Sequence, residues 1–370
     1  MSQPDQALCH TILARSRTED FGPTLLSDFT LDPAQPVPPQ TLLGPLWSLY
    51  GLDLAAGVAV FVETPPELDL STAAFVQLDQ FKHALRVITV ALPDLPAVTA
   101  LMPEPDQRIF LFSMGRCGST LASKMLAQVP GVYSLSEPGP YLALALARHN
   151  LPRHEQQTLL ASLTRLLFRP RTTQDRVLAL KFHSQVLFQA DLIWAAFPDA
   201  RFVFQYRDGV SWAKSFSRFM QMMNAPLLLQ GDETTFSWMM MTAAAPLSEL
   251  QALHDISQPL HHEDLLAPTW AQHMQEYLRL RRLGMPIFPL RYDALNADPA
   301  GSMAALLSHC GLPPLNPDRL AQVLAQDSQE GTVLARSTAP SGFTAENATR
   351  FRALLSRVAP GLDPDTVLPA

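Results

Sequence analysis

The 370-residue chain is 47% hydrophobic and 16% charged, enough to bury a sizeable core and too apolar for a disordered chain. Its net charge of −7 excludes a broad nucleic-acid surface, although a local basic pocket can still hold an anion. Three widely spaced cysteines, Cys9, Cys117 and Cys310, make neither a disulfide framework nor a zinc cluster. With no 18-residue apolar run and no basic-then-apolar leader, the expectation is a cytoplasmic protein without a membrane span.

Residues 1–104 are rich in proline and carry no motif. Apolar runs at 57–62 and 87–91 are candidate strands. This segment reads as an N-terminal extension of unassigned role, packed on the main domain; substrate gating and dimerisation are the other readings, and an oligomer is compatible with the sequence. From 105 to 370 short apolar runs alternate with helical segments. Strands are expected over 109–113, 177–180, 202–204 and 287–290. Helices are expected over 121–129, 141–168, 211–223, 269–282 and 302–310. That alternation predicts an α/β domain, a parallel sheet flanked by helices, with ligands at the carboxyl ends of the strands.

The most informative stretch runs from Arg108 to Thr120. It reads as a buried strand, a tight loop over 114–119 and a helix from Thr120. A glycine-bearing loop between a strand and a helix N-terminus aims several backbone N–H groups at one spot, which suits phosphate. The nucleoside-triphosphate version of such a loop ends in Gly-Lys-Ser/Thr. Here Gly118 is followed by Ser119 and Thr120, and the cation comes earlier, at Arg116. A second strand–loop–helix passage places Arg207 at a strand end and Ser215 eight residues later. A guanidinium fork and a hydroxyl both suit phosphate oxygens, and an Arg-Asp pair at a strand end is also a common structural ion pair. A third passage, Leu290 to Leu295, ends a strand at Tyr292.

Taken together, 108–340 resembles the sulfotransferases that use 3′-phosphoadenosine 5′-phosphosulfate (PAPS), with a P-loop-like fold. The local likeness is to the tyrosylprotein-type and bacterial enzymes. Arg116, Cys117, Gly118, Ser119 and Thr120, then Pro130, then Glu137 follow their pattern of phosphosulfate loop, helix, proline and catalytic glutamate. The resemblance implies that Arg207 and Ser215 hold the 3′-phosphate and that Tyr292 lies beside the adenine nucleotide. Gly209 stands where the family has proline. Lys181 and His183 resemble the Lys-Thr-His of the small-molecule enzymes, which makes Lys181 a second cation for the sulfonate and His183 a rival to Glu137 as general base. Ser328 and Arg336 lie where the family places a cofactor-closing loop, although the Arg-Lys-Gly pattern is missing.

The implied co-substrate is PAPS, with no metal, and the implied partner is a small-molecule acceptor. A P-loop kinase or NTPase is the alternative, and so is a non-catalytic nucleotide-binding protein of the same fold. Met220, Met222, Met223 and Met239 to Met241, with Phe219 and Trp238, read as helix packing or as an adaptable apolar acceptor pocket. His261, His262, Glu263 and Asp264 have metal-ligand chemistry without metal-ligand spacing.

Overall fold

The computed structural model describes residues 7–17, 20–222, 228–229, 260–261, 265–332, 335 and 342–370. The chain divides into two compact units. One comprises Met1–Phe110 and Ser123–Ala200, the other Leu111–Ala122 and Arg201–Ala370.

The first unit begins with an antiparallel sheet of β1 (Ala7–Arg15), β2 (Phe29–Leu31), β3 (Gln35–Val37), β4 (Trp47–Asp53), β5 (Val58–Glu63) and β6 (Arg86–Ala91). The order is β2-β1-β6-β5-β4, with β3 also paired to β1. β5 and β6 are the two apolar runs expected from the sequence, and their β-branched residues suit a pleated, buried surface. Phe29, Tyr50, Val60, Val62, Ala84 and Val87 form a core cluster on this sheet. Helices α1 (Val76–His83) and α2 (Leu95–Ala100) interrupt and follow it.

Strand β7 (Gln107–Ser113) is shared by the two units, and helix α3 (Ser119–Leu126) follows it. The first unit then contains β8 (Val132–Ser136), α4 (Gly139–Leu146), α5 (Arg153–Leu167), β9 (Val177–Lys181) and α6 (Ala190–Ala196). β8 and β9 run parallel, with Ser136 opposite Lys181. The single helix expected over 141–168 is in fact two, α4 and α5. Pro152 stands at the N-cap of α5, where its ring and missing N–H prevent α4 from running on. Thr24 is wedged between two glycines of this unit. A Cβ on Gly139 would stand 2.2 Å from Thr24 Oγ1, and one on Gly51 would stand 2.5 Å from Thr24 O. The Thr24 hydroxyl donates to Tyr50 O at 2.8 Å.

The second unit contains β10 (Arg201–Tyr206), α7 (Gly209–Met222), a two-residue ribbon of β11 (Leu228–Leu229) and β12 (Leu260–His261), then α8 (Leu266–Arg282) and β13 (Ile287–Arg291). Helices α9 (Tyr292–Ala297), α10 (Pro299–Cys310), α11 (Pro317–Ala325) and α12 (Ala345–Val358) complete it. β10 and β13 run parallel, with Tyr206 opposite Arg291. The expected parallel sheet is therefore present, in the order β13-β10-β7-β9-β8. Asn316 and Asp298 accept backbone N–H groups at the starts of α11 and α10, the helix-start chemistry expected of such side chains. The C-terminal residues are tied in: Leu368 N–H donates to the Tyr206 hydroxyl at 3.0 Å, and the Tyr277 hydroxyl donates to Pro369 O. Among the described residues no helix is long and apolar enough to cross a membrane.

Phe182, fully buried just after β9, packs its ring 4.5 Å from Tyr141 and 5.6 Å from Phe110. Removing it leaves a cavity between residues of α4, β7 and the end of β9. Phe182→Ala is expected to cost about 3–5 kcal/mol in urea unfolding, and a loss under about 1 kcal/mol would mean the rings are not a packed unit.

Candidate active site

In the second unit the loop from Met114 to Gly118 turns sharply. Gly115, Arg116 and Gly118 all have positive φ, at 69°, 50° and 77°. Gln205, fully buried in β10, clamps the loop. Its main-chain oxygen accepts from Met114 N–H at 3.3 Å and from the Cys117 thiol at 3.2 Å, while its side-chain amide donates to Cys117 O at 2.8 Å. Trp212 Nε1 donates to Gly115 O at 3.0 Å. α3 starts at Ser119, one residue earlier than expected. The first N–H groups of a helix have no partner within it, and N–H groups so placed after a tight loop are of the kind that suit an anion.

Arg116 Nη1 donates to Gln329 Oε1 at 3.1 Å, and its guanidinium lies 6.0 Å from the Phe219 ring centroid. Gln329 adjoins the half-buried Ser328, so the stretch singled out in the sequence does meet the loop cation, through the neighbouring residue. Arg207 lies over the Tyr292 ring, 4.6 Å from its centroid, and donates from Nε to Ser211 Oγ at 3.1 Å. The same ring also meets the loop: a Cβ on Gly118 would stand 2.6 Å from two of its carbons. Gly118, Tyr292 and Arg207 are thus packed in series, and only glycine fits the first position. Ser215 is half-buried on α7, one turn beyond Ser211.

The first unit holds a compact acid–base cluster. Lys181 ends β9 with 3% of its side chain exposed, and its ammonium pairs with Glu137 Oε1. Glu137 follows β8 directly, in the left-handed region at φ 56°, and its N–H donates to Lys181 O at 2.7 Å. His183 Nε2 lies 3.3 Å from Glu137 Oε2. The Gln77 side-chain nitrogen lies 3.2 Å from the same His183 Nε2, and Gln77 Oε1 accepts from Arg17 Nη2 at 3.3 Å. The Lys181 ammonium also stands 5.8 Å from the Phe75 ring centroid. Burial first, then the Lys181 and Arg17 charges, depress the His183 pKa to about 4 against the opposing pull of Glu137.

Loop, helix start and paired carboxylate follow one sequence pattern, and residues 108–317 match the family model described as "Sulfotransferase family". The chain belongs to the sulfotransferase family. No curated protein matches the chain. Among solved structures it is similar to a sulfotransferase from Alicyclobacillus acidocaldarius, at 15% identity and TM-score 0.37, over 68% of this chain and 96% of that one. It is similar to a sulfotransferase from Mycobacterium avium at 15% identity and TM-score 0.38, over 72% and 79% of the two chains. A mouse sulfotransferase complexed with PAP matches at 12% identity and TM-score 0.39, over 72% and 90%.

The structure of this sulfotransferase groups the expected residues in two sets. Arg116, Cys117, Gly118, Ser119, Thr120, Arg207, Ser215, Tyr292 and Ser328 lie in the second unit, and Glu137, Lys181 and His183 in the first. Arg336, Met223, Trp238, Met239 to Met241, His262, Glu263 and Asp264 lie outside the described residues. Sequence reading missed Gln205, Ser211 and Gln329 in one set, and Arg17, Phe75 and Gln77 in the other. Ser211 carried a signal, being one turn from Ser215 on the same helix; the N-terminal three carried none.

His183 makes stability depend on pH. Its folded pKa of about 4 lies below its ordinary 6.5, so the unfolded chain binds the proton first. Its contribution is complete above about pH 6.5 and is lost as pH falls towards about 4, by a few kcal/mol at most. Urea unfolding between about pH 7 and about pH 4 should fall more steeply for the native chain than for His183→Gln. Parallel pH profiles would mean that His183 titrates normally.

Proposed function

We propose that this sulfotransferase moves a sulfuryl group from PAPS to a hydroxyl or amine of a small-molecule acceptor, by in-line displacement at sulfur. The observation that carries the reading is the loop itself. Its cation precedes the last glycine, no lysine follows that glycine, and left-handed turns lead into a helix N-terminus. The packing of Gly118, Tyr292 and Arg207 supports a nucleotide beside the loop, because it sets an aromatic ring and a guanidinium next to the loop's backbone N–H groups. A P-loop kinase or NTPase is disfavoured by Ser119, which stands where such enzymes carry lysine.

The roles follow from charge. Arg116, the loop N–H groups, Ser119 and Thr120 neutralise the oxygen that takes the electron pair as the sulfur–oxygen bond breaks. Arg207 and Ser215 hold the 3′-phosphate, Tyr292 flanks the adenine, and Ser328 and Arg336 are the remaining cofactor contacts. Lys181 is the second cation for the transferred sulfonate. These cations and N–H dipoles act where phosphoryl-transfer enzymes use a metal. Glu137 takes the proton from the attacking acceptor, with His183 the competing candidate. The catalytic domain is 105–370, with 1–104 as its extension, in the cytoplasm.

The first test is selectivity. Two charge-assisted contacts to the 3′-phosphate, at about 1.5–3 kcal/mol each, give 3′,5′-diphosphoadenosine at least a roughly tenfold advantage over ADP in calorimetry without Mg²⁺. Equal affinities would overturn the assignment of Arg207 and Ser215.

The second test concerns the base. Glu137→Gln keeps size and polarity but cannot accept the proton. kcat with labelled PAPS should drop about 10²–10⁴-fold while affinity for 3′,5′-diphosphoadenosine is nearly unchanged. Near-normal turnover in Glu137→Gln beside a dead His183→Ala would hand the role to His183.

A further inference from the structure

Arg17 belongs to the N-terminal segment that the sequence left without a role, yet its charge reaches the acid–base cluster. It follows the end of β1 and is half-buried. Its Nη2 donates to Gly22 O at 2.7 Å and to Gln77 Oε1 at 3.3 Å, and the Gln77 nitrogen lies 3.2 Å from His183 Nε2. One glutamine amide therefore separates the guanidinium from the histidine. Burial is the main depressant of the His183 pKa, and the Arg17 charge adds to it. Burial raises the pKa values of Asp28 and Tyr50, and the same charge opposes that rise.

The guanidinium is incompletely used. Nε and Nη1 are buried without a hydrogen-bond partner among the described residues, and Arg17 makes no ion pair there. Asp28 does not serve as its counter-ion: Asp28 Oδ2 takes the Tyr50 hydroxyl and the Leu25 N–H. Lys181, the other cation of the cluster, is matched by Glu137, and Arg17 is not matched. A guanidinium stays charged at any ordinary pH, so it cannot escape burial by losing its proton. Water would satisfy the two donors but would not neutralise the charge. A carboxylate, phosphate or sulfate would do both, and these are the anions that the planar fork fits. The neighbouring cluster is the one assigned to the acceptor's proton, so the molecule best placed to bring that anion is the acceptor itself.

We propose that Arg17 binds an anionic group of the acceptor, so that the acceptors of this sulfotransferase are themselves acids, carrying a carboxylate, phosphate or sulfate besides the hydroxyl or amine that is modified. The proposal rests on the sulfuryl-transfer reading of the same cluster. In the step, the acceptor O–H or N–H gives its proton to the base and its oxygen or nitrogen bonds to sulfur. The sulfur–oxygen bond to 3′,5′-diphosphoadenosine breaks, and the electron pair leaves on that oxygen. The acceptor's own anion is unchanged; Arg17 holds it. The N-terminal segment thereby gains a use, because a specificity contact comes from outside the residues 108–317 that match the family.

The test is calorimetry on the full chain at low salt, with acids matched to neutral analogues. The probes are 4-hydroxyphenylacetate, 4-hydroxyphenyl phosphate and 4-hydroxyphenyl sulfate against 4-hydroxyphenylacetamide, and glycolate against glycolamide. At least one acid should bind the native chain about tenfold or more tighter than its amide, the worth of one charge-assisted contact. The aromatic acids tell which oxyanion is preferred. Arg17→Gln keeps a side-chain donor, loses the charge and should erase the preference. Arg17→Lys keeps the charge without the fork and should retain part of it, which reports even if the glutamine variant does not fold. With labelled PAPS, Arg17→Gln should raise KM for the acid and leave KM for the amide alone. Equal affinities for acid and amide in the native chain, no binding of any acid, or a preference unchanged in Arg17→Gln would overturn the proposal. So would an equal loss of kcat for acid and amide, which would give Arg17 to the transferred sulfonate. Acid binding that needs Arg17 but never leads to turnover would instead fault the sulfuryl-transfer reading and leave the anion site standing.

Discussion

Lys181 keeps its ammonium almost wholly out of water, and a buried cation without a partner costs several kcal/mol. Much of the first unit's local geometry meets that requirement. Parallel register sets Ser136 opposite Lys181, so the chain has to turn at the very next residue to bring a carboxylate to the ammonium. Glu137 does this in a left-handed conformation, tied by its own N–H to Lys181 O. Pro138 and Gly139 follow, and Gly139 lies so close to Thr24 that no side chain fits there. The ion pair, the strand end and the N-terminal segment thus constrain one another. His183, two residues beyond Lys181, is buried by the same packing, and that burial is the main reason it stays neutral.

The second unit solves a different problem, holding a loop in which Gly115, Arg116 and Gly118 all take a left-handed conformation. The Gln205 main chain and amide and the Trp212 indole pin that loop. On hydrophobic grounds alone a glutamine is out of place in a buried strand interior. The bond from the Gln205 amide to Cys117 O accounts for it, since a buried polar group without such a bond is costly. The Tyr292 ring then serves two neighbours at once, packing on the bare Gly118 and carrying the Arg207 guanidinium. Replacing either partner alters the support of the other.

Much of this was legible in the sequence because it is local. The strand–loop–helix of β7 and α3, the strand ends at Arg207 and Tyr292, and most helices carry their signals within a dozen residues. β8 did not, because Val132 to Ser136 includes two serines and is too short for a period to emerge. The break between α4 and α5 was marked by Pro152 and overridden by the apolar stretch around it. Glu137, Lys181 and His183 were singled out by their resemblance to family motifs, but their mutual contact depends on parallel register, which a motif does not encode. Arg17 and Gln77 were invisible for a plainer reason. They lie in a segment without a motif, and only the fold brings them to a histidine more than a hundred positions away from Gln77.

Backbone strain marks the same residues independently. Among the described residues, Arg116 and Glu137 are the two non-glycine residues with positive φ. A left-handed conformation costs such residues roughly 1–2 kcal/mol, and glycine would remove the cost at either position. Glycine would also remove a guanidinium from the loop and the carboxylate that pairs with Lys181. Strain of this kind persists where the surroundings over-determine it. At Glu137 the Lys181 ion pair and the N–H bond to Lys181 O hold the turn; at Arg116 the bond to Gln329 and the clamped residues on either side do so. In both places the local preference of the backbone gives way to the placement of a charge, which is the pattern expected where the charge, rather than the fold, sets the residue.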